Sequence, residues 1–279
     1  MASKRTKNGG ISALPAPHCL LDFSSNGEKR RPETRESALA LVEEVARGLA
    51  MNLLGRPMVV ENGPSLSVYQ IISTSHIILH MGRRGIHADL FSCEPFDMDR
   101  CVDILLSRFG PSSCIQYCQR NLFTSPGRIN PLPMANMNAL TRNPQTFTHA
   151  LINWYRGKEK MLADADYGRG VLLRAVDCLS ELESLPAASV ELLDVPPIPA
   201  SWDRGGFSGG YVNVLRQLTM HTFRGLNGAY MDIMAHVFDL EKILRIIQEG
   251  FGFRFFEVDA VFQRRVHTAD IPPPPQGGP

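Results

Sequence analysis

Two stretches of this chain repeat one pattern at a near-constant offset, and that repeat limits the possible folds more than any single motif. HMGRRGIHADLFSCEPFDMDRCVDILLSRFG (80–110) lines up with HTFRGLNGAYMDIMAHVFDLEKILRIIQEGFG (221–252). His80 falls on His221 at an offset of 141, while Phe96-Asp97 falls on Phe238-Asp239 and Phe109-Gly110 on Phe251-Gly252 at 142. A recurring αβ unit whose sheet is apolar on one face must bury that face against something. A tandem duplication is the expectation, with the apolar faces of the two sheets packed against each other.

The rest of the chain divides around these units. HCLLDF (18–23) reads as a strand. Apolar residues from Leu39 to Leu54 recur at helical spacing, which predicts a helix over roughly 35–54 stopped by Gly55. Residues 58–61, 67–80 and 86–93 are β-rich, 96–109 is helical, and 114–123 reads as a strand. Pro126, Pro131 and Pro133 mark 124–146 as a linker. The second half follows with strands at 148–155, 210–223, 229–234 and 254–265 and helices at 171–182 and 238–251. The order expected of both halves is β-α-β-β-α-β, with 58–61 as an additional β-rich stretch in the first. The expected organisation is a first repeat at 17–123 and a second at 147–266, with disordered ends at 1–16 and 267–279.

Composition narrows the function classes. With 44% hydrophobic and 20% charged residues among 279, and a net charge of +1, the chain carries no basic footprint for nucleic acid. Its apolar runs are short and broken by charge, and MASKRTKNGG leads into no apolar signal segment, so no membrane span or export is expected. Six scattered cysteines (Cys19, Cys93, Cys101, Cys114, Cys118 and Cys178) form no C-x-x-C pair, which suits free thiols in a reducing cytoplasm. His76 and His80 are four apart, but in a β-rich stretch with no carboxylate partner, so no metal site is expected. Gly205-Gly206-Phe207-Ser208-Gly209-Gly210 lacks the Lys-Ser/Thr of a phosphate loop and reads as a hairpin turn.

The chemistry-bearing stretch runs from Ser67 to Cys93. Thr74-Ser75-His76-Ile77-Ile78-Leu79-His80 is followed by Asp89-Leu90-Phe91-Ser92-Cys93, and then by a helix with Asp97 and Asp99 near its start. This arrangement resembles the bacterial pyruvoyl-dependent S-adenosylmethionine decarboxylase family, whose core has Glu-Ser-His-Ile-x-Ile-His and then Asp-x-Phe-x-Cys. The resemblance implies an α+β fold, an αββα sandwich of two antiparallel sheets face to face with helices outside. It also implies a cofactor made from the chain itself. A serine hydroxyl attacks the preceding carbonyl, the resulting ester eliminates, and hydrolysis leaves a pyruvoyl group that forms a Schiff base with the substrate amine and draws electrons as CO2 leaves. Carried over residue by residue, Ser75 is the pyruvoyl precursor, cut from Thr74. His80 transfers the processing proton, Ser67 assists, and Cys93 protonates the product. Thr74 stands where the family has glutamate.

The second half places Arg216 at the serine position and His236 at the cysteine position, so only the first half can be processed. Trp202 and Phe223 match family aromatics that would wall the substrate. Neither half keeps the glutamate expected on the ribose hydroxyls, and Arg84 is a candidate for a substrate carboxylate. The resemblance therefore implies a cytoplasmic carboxy-lyase of polyamine (spermidine) biosynthesis acting on S-adenosylmethionine. Arginine or ornithine decarboxylation on the same fold is one alternative, and a non-catalytic homologue with a binding or regulatory role is another. A small-molecule substrate is expected, with neither nucleic acid nor membrane as partner. The oligomeric state is either a monomer of fused repeats or a homodimer.

Overall fold

Alternation along the strands builds this molecule, because each sheet has one apolar and one polar face. The computed structural model describes residues 16–24, 34–62, 65–73, 75–82, 85–111, 114–120, 141, 147–180, 191–195, 205–213 and 216–264. The first sheet contains β1 (Ala16–Ser24), β2 (Leu53–Asn62), β3 (Ser65–Ile72), β4 (Ser75–Met81), β5 (Gly85–Ser92) and β6 (Cys114–Arg120), ordered β2-β3-β4-β5-β1-β6. The second contains β7 (Phe147–Tyr155), β8 (Glu191–Val195), β9 (Gly206–Asn213), β10 (Arg216–Phe223), β11 (Gly228–Ala235) and β12 (Phe255–Arg264). Its order, β8-β9-β10-β11-β7-β12, matches the first sheet position for position, and every neighbouring pair in both sheets is antiparallel.

Helices cover the apolar faces. Under α1 (Arg35–Gly48) and α2 (Met98–Phe109), Leu41, Val45 and Leu105 pack on Val68, Ile77 and Leu79. After the single-turn α3 (Glu159–Leu162), α4 (Ala165–Ser180) and α5 (Leu240–Phe251) pack residues such as Val171, Leu172 and Ile243 on Ile152, Met220 and Met231. The other faces meet each other across a layer rich in buried polar groups. His18, His76, His80, Asp89, His149, Gln217, His221 and Asp232 all lie there, each at most 2% exposed. This corrects the expected packing: the apolar faces lie under helices, and the sheets join through histidines, carboxylates and guanidiniums together with two small apolar clusters, one around Ile78 and Val212 and one around Phe91, Phe223 and Tyr230. The fold is α+β with two six-stranded antiparallel sheets.

The repeated Phe-Asp and Phe-Gly pairs turn out to be helix punctuation. Asp97 caps α2 by accepting from Arg100 N at 2.9 Å, and Asp239 caps α5 by accepting from Lys242 N at 3.0 Å. Each such cap stabilises its helix by about 1 kcal/mol. Gly110 (φ 85°) and Gly252 (φ 65°) end the same two helices in a backbone region that favours glycine.

Several element boundaries differ from expectation. Helix α1 stops at Gly48, not 54, because Ala50 turns the chain at a φ of 54° and Leu53 and Leu54 pair with Ile72 and Ile71. The run 67–80 is a hairpin of β3 and β4, and 210–223 falls within the hairpin of β9 and β10. Each half is therefore β-α-β-β-β-β-α-β apart from short helical turns, with two more strands than the sequence pattern suggested. The glycines at 206–210 belong to β9 and form no turn. A Cβ on Gly206 would sit 2.1 Å from the Thr222 carbonyl oxygen, so glycine is what lets these strands approach. The expected disordered ends, apart from Ala16, and the expected linker, apart from Thr141, lie outside the described residues.

Candidate functional site

The β3–β4 register sets Ser67 directly opposite His80 on adjacent strands, and β9–β10 sets Ser208 opposite His221 in the same way. Each pair is joined side chain to side chain: Ser67 Oγ lies 2.7 Å from His80 Nδ1, and Ser208 Oγ lies 2.7 Å from His221 Nδ1. Both pairs then reach across to the other sheet. His80 Nε2 is 2.9 Å from Gln217 Oε1, and His221 Nε2 is 2.7 Å from His76 Nδ1.

The first chain can be oriented throughout. Gln217 Nε2 donates to Asp89 Oδ2, which fixes Oε1 as the acceptor from His80 Nε2–H. Nδ1 of His80 is then bare and accepts the Ser67 hydroxyl. On its other oxygen Asp89 accepts from His18 Nε2–H at 2.6 Å. Burial alone would raise the Asp89 carboxyl, but His18 and His76 outweigh it and hold it well below the usual range.

Ser75 opens β4, and its Oγ is 3.1 Å from His221 Nε2. His80, the sequence-based choice for moving the processing proton, is instead engaged by Ser67 and Gln217. The structure thus brings Ser75 to a histidine and serine of the second half, Ser208 behind His221. Ser75 and His80 lie five positions apart on a strand, which sends their side chains to opposite faces unless the strand start bends. The repeat itself carried the missing signal: the offset that sends His80 to His221 also sends Ser67 to Ser208.

Cys93 follows Ser92, the register partner of Ser75. It packs with Phe91, Phe223 and Tyr230 at this end of the sandwich. Phe223 stands edge-on to Tyr230 at 5.4 Å between ring centres. Ser67, Ser75, His80, Cys93 and Phe223 are all buried. Thr74, Arg84 and Trp202 lie outside the described residues.

Two buried guanidiniums cross between the halves. Arg120, at the end of β6, donates to Asp232, to Asn153 Oδ1 and to the carbonyls of Ile152 and Met231. Arg264, at the end of β12, donates to Asp22 and to the carbonyls of Leu21 and Ala88.

The buried histidines imply acid sensitivity. Burial, the dominant influence, drives His80 down to about 3, while its bond to Gln217 pulls the other way. Burial likewise holds His149 and His221 well below the ordinary imidazole value. An unfolded chain protonates these rings near pH 6.5, roughly their ordinary value. Below that pH the unfolded state therefore binds protons that the folded state refuses, and stability falls as pH drops from about 6.5 toward 3. The midpoint of urea unfolding should decline steadily between about pH 7 and pH 4. An unchanged midpoint over that window would contradict neutral buried rings.

Among the described residues no helix is long and apolar enough to cross a membrane. No protein-family model matches the chain, and neither does any curated protein. Among solved structures, an adenosylmethionine decarboxylase from Aquifex aeolicus aligns at 16% identity with a TM-score of 0.34, covering 44% of this chain and 93% of its own. A mutant chlorite dismutase from Candidatus Nitrospira defluvii aligns at 9% identity with a TM-score of 0.24, covering 93% and 94%. A structure described as an unknown protein from Galdieria sulphuraria aligns at 12% identity with a TM-score of 0.20, covering 91% of this chain and 99% of its own. Likenesses this low do not decide an activity.

Proposed function

We propose that this chain is a self-processing, pyruvoyl-dependent α-decarboxylase, a carboxy-lyase whose first-choice substrate is S-adenosylmethionine. The observation that carries the reading is Ser75 Oγ at 3.1 Å from His221 Nε2, with Ser208 Oγ at 2.7 Å from Nδ1 of the same ring. A serine becomes a nucleophile when a neutral, oriented base can take its proton. Burial keeps His221 neutral, and Ser208 orients it. His221 draws the proton from Ser75 as Oγ attacks the carbonyl of residue 74. The same ring is placed to manage the later proton transfer that opens the ester.

The residues at this end fit the group that would result. Once formed, a pyruvoyl group at position 75 supplies an electron-withdrawing carbonyl for loss of CO2. Cys93, in the apolar cluster beside the start of β4, is placed to return a proton to the product carbon. Phe223 and Tyr230 exclude water from that end. In this reading the two halves descend from one duplicated unit. The shared strand order, the paired Ser67–His80 and Ser208–His221 contacts, and the reciprocal Arg120 and Arg264 anchors support that descent. The second half, with Arg216 in place of the reactive serine, supplies the base and leaves the cut to the first.

Intact mass spectrometry of the purified full chain is the test. Two fragments, 1–74 and 75–279, should appear, the second blocked at its N-terminus, and Ser75→Ala should stay whole. Wild-type protein that remains one chain after long incubation would replace this reading with a non-catalytic one. Where cleavage occurs, CO2 release with S-adenosylmethionine, arginine and ornithine identifies the substrate.

A further inference from the structure

We propose that the polar layer between the sheets holds one divalent first-row transition-metal ion, ligated by His18, His76 and Asp232. One ligand-type atom from each of these three residues lies within 4.8 Å of the other two, and all three side chains are completely buried. They come from β1, β4 and β11, so both sheets contribute.

Two nitrogens carry the argument. His18 Nδ1 and His76 Nε2 are buried without a hydrogen-bond partner among the described residues. A buried polar atom left unmade costs about 1–3 kcal/mol, and such atoms in a native fold call for an ion or a water. His76 Nε2 sits between two carboxylates, 3.5 Å from Asp89 Oδ1 and 3.9 Å from Asp232 Oδ2, bonded to neither. Ligands about 2.1 Å from a tetrahedral ion stand about 3.4 Å apart, so closing on an ion needs movement of under about 1.5 Å.

The surroundings resemble the outer layer of a metal site. Each ligand's other polar atom is already pinned: His18 Nε2 by Asp89, His76 Nδ1 by His221, and Asp232 Oδ1 by Arg120. A histidine whose second nitrogen donates to a carboxylate is the usual way to fix the tautomer that ligates. A competing trio, His18 with Asp89 and His149, has the same compactness but the wrong protons. Arg264 Nη1 donates to His149 Nδ1 at 3.3 Å, so Nε2 of that neutral ring carries the proton and offers no lone pair. Two imidazoles and a carboxylate suit zinc, iron, cobalt or nickel better than magnesium or calcium. The local spacing of His76 and His80 pointed away from a metal, because the ligands that join His76 are distant in sequence.

The site also touches the proposed cleavage chemistry. Ligation at His76 Nε2 puts that ring's proton on Nδ1, where it donates to His221 Nε2 and competes with Ser75. The binding test below does not depend on whether the chain cleaves.

Tag-free full-length protein should be purified without chelators and analysed for metals, then stripped and titrated with Co2+. The expected result is about one ion per chain and, with Co2+, a visible ligand-field band typical of tetrahedral nitrogen and oxygen ligation. His18→Gln should abolish both while His149→Gln retains them, with circular dichroism checking the fold of each. Should His18→Gln fail to fold, X-ray absorption of the wild-type Co2+ form must show two histidine nitrogens, and their absence would refute the site. Folded wild-type protein with less than about 0.1 ion per chain and no Co2+ band would mean the layer is bridged by water. Unchanged stoichiometry in folded His18→Gln would put the ion elsewhere. Either result overturns the proposal.

Discussion

Cleavage of His221→Gln should be slower than that of the wild-type chain by about 10²–10⁴-fold, the usual contribution of a positioned acid–base group, whereas His80→Gln should cleave within a few-fold of wild type. The two histidines occupy equivalent places in the two halves, so the comparison isolates which half serves Ser75. His221 Nε2 is 3.1 Å from Ser75 Oγ, while both nitrogens of His80 are engaged by Ser67 and Gln217. Glutamine keeps most of the polar volume at either site and can serve as neither acid nor base. The rate is read as the loss of full-length mass in freshly purified protein, with circular dichroism confirming that each variant folds. Slow cleavage in His80→Gln with normal cleavage in His221→Gln would restore the within-half assignment. Normal cleavage in both would remove histidine from the processing step.

That assignment shows where sequence reading stopped. The repeat was legible, and the Asp97, Gly110, Asp239 and Gly252 that mark it each do a local job at a helix end, which the sequence reading used only as repeat matches. Both hairpins were missed for a local reason as well. With helices on one face and a second sheet on the other, Ile71, Ile77 and Ile78 are all buried, so the alternation that marks a strand's ends is weak. Leu53 and Leu54 extend the helical spacing of α1, and only the backbone turn at Ala50 breaks it. The apolar faces were assigned to each other because two amphipathic sheets and four amphipathic helices allow either packing. What decides between them is the polar set on the opposite faces, where Asp22, Asp89, Gln217 and Asp232 each bond to a side chain of the other sheet. Ser75 and His221 are 146 residues apart, and no spacing rule links them. The motif could nominate the serine, but the histidine beside it emerged only from the fold.

The largest stability effect is expected at the seam between the halves. Arg264→Met should destabilise the chain by about 3–5 kcal/mol, the usual cost of removing one member of a buried pair. Arg264 is fully buried and donates to Asp22 from 242 residues away, and also to the carbonyls of Leu21 and Ala88. Without it, Asp22 retains His87 Nδ1 at 2.8 Å, and the two carbonyls lose a donor. Burial on its own would raise the Asp22 carboxyl, but Arg264 and His87 outweigh it and hold it well below the usual carboxylate range. A carboxylate with a depressed folded-state pKa contributes stability that is complete above its unfolded value, near 4, and is lost as pH falls through the folded value. Arg264→Met should therefore lose most stability at neutral pH and least in strong acid, where Asp22 no longer depends on the guanidinium. The double variant Arg264→Met with Asp22→Leu removes both charges and should be more stable than Arg264→Met alone, because an unpaired buried charge costs more than an apolar pair. Urea unfolding of the three variants at neutral and acid pH measures each part. A single variant within about 0.5 kcal/mol of wild type, the range of ordinary surface changes, would mean that the crossing guanidinium does not hold the two sheets together.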